Sequence, residues 1–233
     1  MRYGVPRLAE SAIRQSRMLG WKFSILAISV LLGANAWASQ QRGEDVVSIT
    51  FVKEFPNSKP DYIAIQIRRD GRAEYRTAPD DEKPFSFVVP EETAAEIFSM
   101  AAKMNQFQGA NLESKRRVAS LGKKTLIYQD EKGNSQASFN HTEVPEAMAL
   151  TEMFEKISQT QQHYLQLEYL MRFDRLGIVK ELLQVEMDLN QDRLGNPSQL
   201  IPILDKIRTN DSFMQVAQGR AAQLIEKIQS KDQ

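Results

Sequence analysis

The spacing of apolar residues differs between the two halves of this chain, and that difference limits the folds open to it. Outside one helical segment, apolar residues alternate with other residues in several runs between about residues 46 and 142, as in Val47, Ile49 and Phe51, which is typical of strands with one buried face. After Thr142 the apolar residues recur at helical spacing. The order of the two patterns predicts an α+β fold, in which an antiparallel sheet crossed by one helix is followed by an all-helical C-terminal hairpin or small bundle.

Two turns divide the strand region into hairpins. Asp70 and Gly71 separate the alternating runs 63–67 and 73–77. An Asp-Gly pair between such runs predicts a type I′ turn, because glycine accepts the positive φ angle that this turn requires. Residues 131–134 separate two further alternating runs in the same way, which predicts a second hairpin.

Proline and two glutamates mark the start of the helix that crosses the sheet. Pro90 suits the first helical position, and the carboxylates of Glu91 and Glu92 favour the positive end of the helix dipole. Apolar residues continue at helical spacing as far as Met104. The pattern therefore predicts a helix over about residues 90–106.

The first 38 residues have the pattern of a secretory signal peptide. A basic region precedes the uncharged apolar stretch 23–32, and Ala36 and Ala38 are small residues at the positions that a signal peptidase reads. Cleavage is therefore predicted between Ala38 and Ser39. The apolar stretch is shorter than the roughly 20 residues that span a bilayer, so a retained membrane anchor is the less favoured alternative.

The N-terminal pattern also sets the expected domain boundaries. Met18 directly precedes the compact part of the signal, which leads to the hypothesis that translation starts there. A polar leader (39–45) follows the cleavage site, and no glycine-serine linker separates the sheet region (46–142) from the helical region (143–231). Removal of residues 1–38, which hold five basic residues and one acidic residue, leaves a net charge of −4.

The composition excludes several classes of chemistry. The 233 residues contain no cysteine, which excludes thiol catalysis, zinc sites with thiolate ligands and iron–sulfur clusters. Lysine plus arginine number 30, as do aspartate plus glutamate, and the zero net charge argues against a general nucleic-acid binder. Because no glycine-rich phosphate loop occurs, we expect no nucleotide and no other cofactor.

The two histidines do not form a recognisable catalytic or metal-binding motif. His141 lies in phase with Phe139 at the end of a strand, and His163 lies on a long helix rich in glutamine. They are 22 residues apart, with no His-Glu-x-x-His motif. The Gly-x-Ser-x-Gly motif of many hydrolases is also absent. We therefore assign no catalytic, cofactor-binding or metal-binding residue, and His141 is the first candidate if a dispersed active site exists.

One cluster of basic residues is a candidate contact for an anionic partner. Five basic residues occur within ten positions: Lys115, Arg116, Arg117, Lys123 and Lys124. They could contact a phosphate, an acidic glycan or an acidic protein surface. The alternative is that they form a solvated loop and strand edge.

A combination of hairpin and helix residues resembles a group of exported bacterial proteins of unknown function. It consists of Asp61-Tyr62, Ile65, Ile67, Asp70-Gly71, Tyr75 and Pro90-Glu91-Glu92, followed by a helix that ends near Phe107. The resemblance covers about residues 46–108. It implies an exported bacterial protein and no particular activity or functional residue.

These features lead to one expected function and two alternatives. We expect an exported, periplasmic or extracellular protein without enzymatic activity. It would bind another macromolecule of the bacterial cell envelope or its surroundings, most simply a protein, and would meet the membrane only transiently through its signal. The alternatives are an exported hydrolase with a dispersed active site and a protease inhibitor of cystatin-like architecture, because a helix across an antiparallel sheet also describes that architecture.

Overall fold

One antiparallel sheet of six strands, in the order β4-β3-β2-β1-β5-β6, forms the first half of the part described by the computed structural model, residues 47–231. The strands are β1 (Ser48–Glu54), β2 (Tyr62–Arg68), β3 (Arg72–Arg76), β4 (Phe85–Val88), β5 (Lys123–Asp130) and β6 (Gly133–Phe139). Strands β2 to β4 add successively on one side of β1, and β5 and β6 add on its other side. The first strand therefore holds the two hairpin regions together.

The strand register gives the sheet one apolar face and one largely polar face. Phe51 on β1 pairs with Ile65 on β2 and Leu126 on β5, and all three side chains are fully buried. The next position along, Thr50, pairs with Gln66 and is only half-buried. Because successive side chains of a strand point to opposite faces, only the apolar face provides a surface on which helices can pack.

Five α-helices follow or interrupt the strands within residues 47–231. They are α1 (Glu91–Lys103), α2 (Pro145–Phe173), α3 (Ile178–Asn190), α4 (Ile201–Arg208) and α5 (Gln215–Lys231), with short 3₁₀ turns at Asn105–Phe107 and Pro197–Leu200. Of the helices in this part of the chain, none is long and apolar enough to cross a membrane. The predicted α+β fold, with a sheet, a crossing helix and a helical C-terminal region, is confirmed.

Two helices, rather than one, cover the apolar face of the sheet. Ala94 and Ile97 of α1 and Leu150 and Phe154 of α2 are fully buried in the same core as the strand residues. The Phe154 ring stacks on that of Phe51, with centroids 5.2 Å apart and planes 12° apart. The first half of α2 therefore covers the apolar face together with α1, which the sequence pattern predicted to cover it alone.

The crossing helix ends three residues before its predicted boundary. It stops at Lys103, and Asn105, Gln106 and Phe107 have φ angles of 52°, 54° and 66°. A right-handed helix cannot continue through residues in the left-handed region. This turn directs Phe107 into the core, where it is fully buried.

A second apolar core lies among the C-terminal helices. It joins the second half of α2 to α3, α4 and α5 through fully buried side chains such as Leu167, Leu182, Leu204 and Ile228. The single long helix α2 thus contributes to both cores. A polar connection supports this arrangement, because Gln161 donates a hydrogen bond to Gln199, which in turn donates to the carbonyl oxygen of Val88, the last residue of β4.

The first hairpin forms between β2 and β3, but its turn differs from the predicted type. Arg68 and Arg72 flank a three-residue connection in which the Gly71 amide donates to the Arg68 carbonyl oxygen at 3.0 Å. Gly71 has a φ of 81°, whereas Asp70 does not have a positive φ. A type I′ turn needs positive φ at both central residues, so this prediction was wrong. The Gly71 carbonyl oxygen accepts a bond from the Val89 amide, which continues the pairing of β3 with β4 beyond Arg72 and Val88.

Replacing Gly71 with alanine is expected to lower the free energy of unfolding by about 2–4 kcal/mol. A Cβ atom there would lie 2.5 Å from the Val89 carbonyl oxygen, in addition to the cost of a positive φ. Urea denaturation measures the change. The matched control is Gly109→Ala, because Gly109 has a φ of 67° but open space around the new atom. Equal losses in the two variants would contradict the predicted clash.

Candidate ligand-binding cleft

Two lysines face each other where the apolar face of the sheet ends. Lys53 on β1 pairs with Lys124 on β5, and they lie two residues beyond Phe51 and two residues before Leu126 in their strands. Because side chains repeat their direction every second residue, both lysines point to the face that the helices cover. Like charges directly opposite each other repel, so this pair requires compensation from its surroundings.

Lys124 is buried without a carboxylate bound to it. The residue is 7% exposed, and its Nζ donates hydrogen bonds to the carbonyl oxygens of Leu121 at 3.5 Å and Asn140 at 3.2 Å. Burial is the largest influence on the Lys124 pKa and lowers it. The charge of Glu155 raises the pKa and that of Lys53 lowers it, with a lowered pKa as the net result.

Helix α2 supplies the wall that faces these lysines. Met148, Glu152 and Glu155 are spaced by three or four residues, which places them on one side of the helix. Glu155 Oε1 lies 2.8 Å from Lys53 Nζ, and Glu152 Oε1 lies 3.0 Å from Lys156 Nζ. Each of these carboxylates therefore has its own lysine partner, which is not Lys124.

Asn140 connects the segment before β5 to the segment after β6 at the rim of the site. Its side chain accepts a hydrogen bond from the Leu121 amide at 2.7 Å and donates one to the Ala119 carbonyl oxygen at 3.2 Å. Its own amide donates to Glu113 Oε2 at 2.6 Å. These bonds fix an irregular segment beside the lysine pair.

Together these elements enclose an open cleft of about 510 Å³. Three large apolar side chains that line it remain exposed to solvent: Phe55 (37%), Leu121 (47%) and Met148 (51%). The volume lies within the range of about 300–1,000 Å³ that is typical of ligand sites. An apolar rim above the Lys124 ammonium group, to which no carboxylate is bonded, suits a ligand that carries both an apolar group and a negative charge.

No family model matches this chain, and no curated protein matches it. The resemblance to exported bacterial proteins therefore stays a prediction. The chemistry of the cleft itself provides the basis for a functional proposal.

His141, the first candidate for a dispersed active site, lines this cleft. It is half-buried, and no hydrogen bond joins its ring to another residue in the described part of the chain. The Thr151 hydroxyl donates to the Ala147 carbonyl oxygen at 2.7 Å, and the Thr142 hydroxyl accepts from the Val144 amide at 3.2 Å. A general base acts on a nucleophile within hydrogen-bond reach, and neither threonine is bonded to His141.

The structure separates the five basic residues that the sequence grouped together. Arg116 pairs with Glu143 at 2.9 Å, and Lys123 pairs with Glu54 at 3.4 Å. Lys115 and Arg117 are exposed in the segment between α1 and β5. Of these five residues, only Lys124 lines the cleft. Lys123 does not, because neighbouring residues of a strand point to opposite faces.

Lys53 was not predicted as a site residue from the sequence, and Lys124 was predicted only as one member of the basic cluster. A signal for both was present, since Lys53 is in phase with Phe51 and Lys124 is in phase with Leu126. A charged residue in the apolar phase of a strand is unusual enough to mark a functional candidate. The candidate cleavage residues Ala36, Ala38 and Ser39 lie outside the described residues.

His163 is buried between two carboxylates and belongs to the helical core rather than the cleft. Its Nδ1 lies 2.6 Å from Glu181 Oε1, and its Nε2 lies 2.9 Å from Asp188 Oδ2. His163 and Asp188 are 3% and 2% exposed. No grouping of histidine and acidic residues suited to a metal ion occurs within residues 47–231. This cluster links α2 to α3, and neither partner of His163 was foreseen from the sequence.

Proposed function

We propose that this chain is a non-enzymatic binding protein of the bacterial cell envelope, which holds a segment of a partner protein in the cleft beside α2. The observation that carries the proposal is the combination of an exposed apolar rim with the buried ammonium group of Lys124. Export is part of the proposal and rests on the N-terminal signal pattern and on the sequence resemblance.

The apolar rim favours a partner that buries it. Phe55, Leu121 and Met148 leave a third to a half of their surfaces in water around one cleft. Burial of apolar surface stabilises a complex by about 25 cal/mol per Å² before the costs of association. A polypeptide segment with apolar side chains can contact all three rim residues at once, and its acidic groups can approach the lysines.

The polar groups of the cleft favour binding over catalysis. Glu152 and Glu155 form ion pairs, and the hydroxyls of Thr142 and Thr151 bond to the backbone. A covalent mechanism needs a nucleophile held by a base within hydrogen-bond reach. The cleft groups that are already paired serve to shape the site and set its charge.

Cross-linked capture from the native host tests the proposal with the full chain. Wild-type protein is expected to retain a stoichiometric partner, and Met148→Glu is expected to reduce its recovery at least tenfold, because a carboxylate on the rim repels an acidic apolar segment. Met187→Glu is the matched control, since Met187 is 46% exposed on α3 and does not line the cleft. Partner recovery that is unchanged by Met148→Glu would contradict the proposal.

A hydrolase is the second candidate, and the position of His141 in the cleft is the observation that favours it. A panel of ester, peptide and glycoside substrates tests this candidate with wild type and His141→Ala. Turnover by the wild type that falls at least 100-fold in the variant would establish the hydrolase. The binding proposal expects no difference between the two proteins.

A further inference from the structure

The two lysines at the floor of the cleft differ in their partners. Lys53 is paired with Glu155, and Glu152 is paired with Lys156, which also pairs with Asp192. Lys124 has only carbonyl oxygens as bonded partners. The carboxylate of Glu113, which also acts on Lys124 through its charge, is bonded to the Asn140 amide. One positive charge is therefore left without a bonded anion at this end of the sheet.

The position of Lys124 makes that charge costly. An ammonium group has three N–H donors, and two of them are used by the carbonyl oxygens of Leu121 and Asn140. Burial of a charged group is strongly unfavourable unless it is paired and hydrogen-bonded. The charges of Glu155 and Glu113 act on Lys124 without a bond to it, and Lys53 stands directly opposite on β1. An anion beside the remaining donor would relieve both the desolvation of Lys124 and its repulsion by Lys53.

We infer that Lys124 and Lys53 bind a single carboxylate, presented by an apolar residue of a partner polypeptide whose side chain contacts Phe55, Leu121 and Met148. This inference rests on the proposed function and names the chemistry that the cleft recognises. The carboxylate lies between the two ammonium groups on the floor, and the apolar side chain lies against the rim.

One ammonium group without a bonded anion suits a carboxylate better than a more highly charged group. A carboxylate brings one negative charge, whereas a phosphate group carries nearly two at neutral pH, and the cleft already holds the carboxylates of Glu152 and Glu155. Glu152 and Glu155 on the α2 wall repel any anion that enters from their side. The ligand carboxylate is therefore directed to the strand side of the cleft, where Lys124 lies.

Two small probes that differ only in charge test this inference. N-acetyl-leucine has a free carboxylate next to an apolar side chain, and N-acetyl-leucinamide is its neutral counterpart. Binding is measured from the shift of the Met148 methyl signal in protein labelled with ¹³C at its methionine methyl groups. We expect the carboxylate to bind at least tenfold more tightly than the amide, because charge-assisted hydrogen bonds are about twice as strong as neutral ones.

Two variants in the same strand assign the effect to Lys124. Lys124→Met is expected to remove the preference for N-acetyl-leucine over its amide. Lys123→Met is expected to keep it, because Lys123 points to the opposite face of the sheet and pairs with Glu54. If Lys124→Met fails to fold, the comparison of the two probes on the wild-type protein still tests the inference. A capped peptide, acetyl-Leu-Glu-amide, distinguishes a side-chain carboxylate from a C-terminal one.

The outcomes separate this inference from the proposed function. Equal binding of the acid and the amide would overturn the carboxylate site but leave a binding cleft. Tighter binding of inorganic phosphate than of N-acetyl-leucine would overturn the selection of a single charge. Absence of any shift up to tens of millimolar acid would overturn the inference, whereas the proposed function stands or falls on the loss of partner capture in Met148→Glu.

Discussion

Replacing His163 with leucine is expected to lower the free energy of unfolding by about 3–5 kcal/mol near pH 6. The imidazole lies between Glu181 and Asp188, at 2.6 Å and 2.9 Å from their carboxylate oxygens. Leucine would leave both carboxylates without this shared partner, and Asp188 is almost completely buried. Urea denaturation of the wild type and the variant under identical conditions measures the loss.

The contribution of this cluster is expected to depend on pH. Burial lowers the pKa of His163, but the hydrogen bonds and charges of Glu181 and Asp188 outweigh it and raise that pKa above 6.5. The stabilisation is therefore complete below about pH 6.5 and is lost as the pH rises through the folded-state value. Burial raises the pKa of Asp188, but its bonds to His163 and Gln184 bring it below 3.8. That contribution is lost as the pH falls through the lowered value.

The difference between wild type and His163→Leu is thus expected to be largest between about pH 4 and pH 6.5 and smaller at pH 9. His141→Leu is the control, because His141 is half-buried and has no side-chain hydrogen bond among the described residues. It is expected to change stability by about 0.5 kcal/mol or less. A His163→Leu loss below about 1 kcal/mol, equal at pH 6 and pH 9, would rule out the proposed charge cluster.

Truncation of Phe154 to alanine is expected to lower the free energy of unfolding by about 3–5 kcal/mol. Phe154 is fully buried where α2 packs on the sheet, and its ring stacks on that of Phe51. The substitution removes apolar contact from both elements and leaves a cavity that neighbouring side chains only partly fill. The midpoint of urea denaturation and the slope of the transition together report the loss.

The matched control for this prediction lies on the same helix. Phe173 is 71% exposed at the C-terminal end of α2, and Phe173→Ala is expected to change stability by about 0.5 kcal/mol or less. The two variants remove the same side chain from the same kind of backbone. Similar losses in both would show that α2 does not pack on the sheet through Phe154.

Much of the secondary structure was predictable because it depends on neighbours in the sequence. The alternation of Ile49 and Phe51 defines which face of β1 is buried, since a shift of one residue would expose that face. The Asp70-Gly71 pair marked the β2–β3 connection for the same local reason. The turn type was wrong because the same Asp-Gly pair also suits a three-residue connection, in which only the last residue, here Gly71, has a positive φ.

The candidate site depends on contacts that no local pattern contains. Lys124 was visible as one residue of a basic cluster, but its burial requires β1 on one side and α2 above it. His163 acquires its partners from residues 18 and 25 positions further along the chain. The sequence shows that such residues are charged or titratable, but not which of them meet.

The sequence by itself determined the α+β class, the alternating strand faces and the helical nature of the C-terminal region, because hydrophobic periodicity acts over a few residues. Only the tertiary structure decided that α2 serves two cores, that Lys53 and Lys124 share one cleft, and that His163 is enclosed by two carboxylates. The physical reason is that burial and charge pairing depend on the distances between segments, and packing of the helices on the sheet sets those distances.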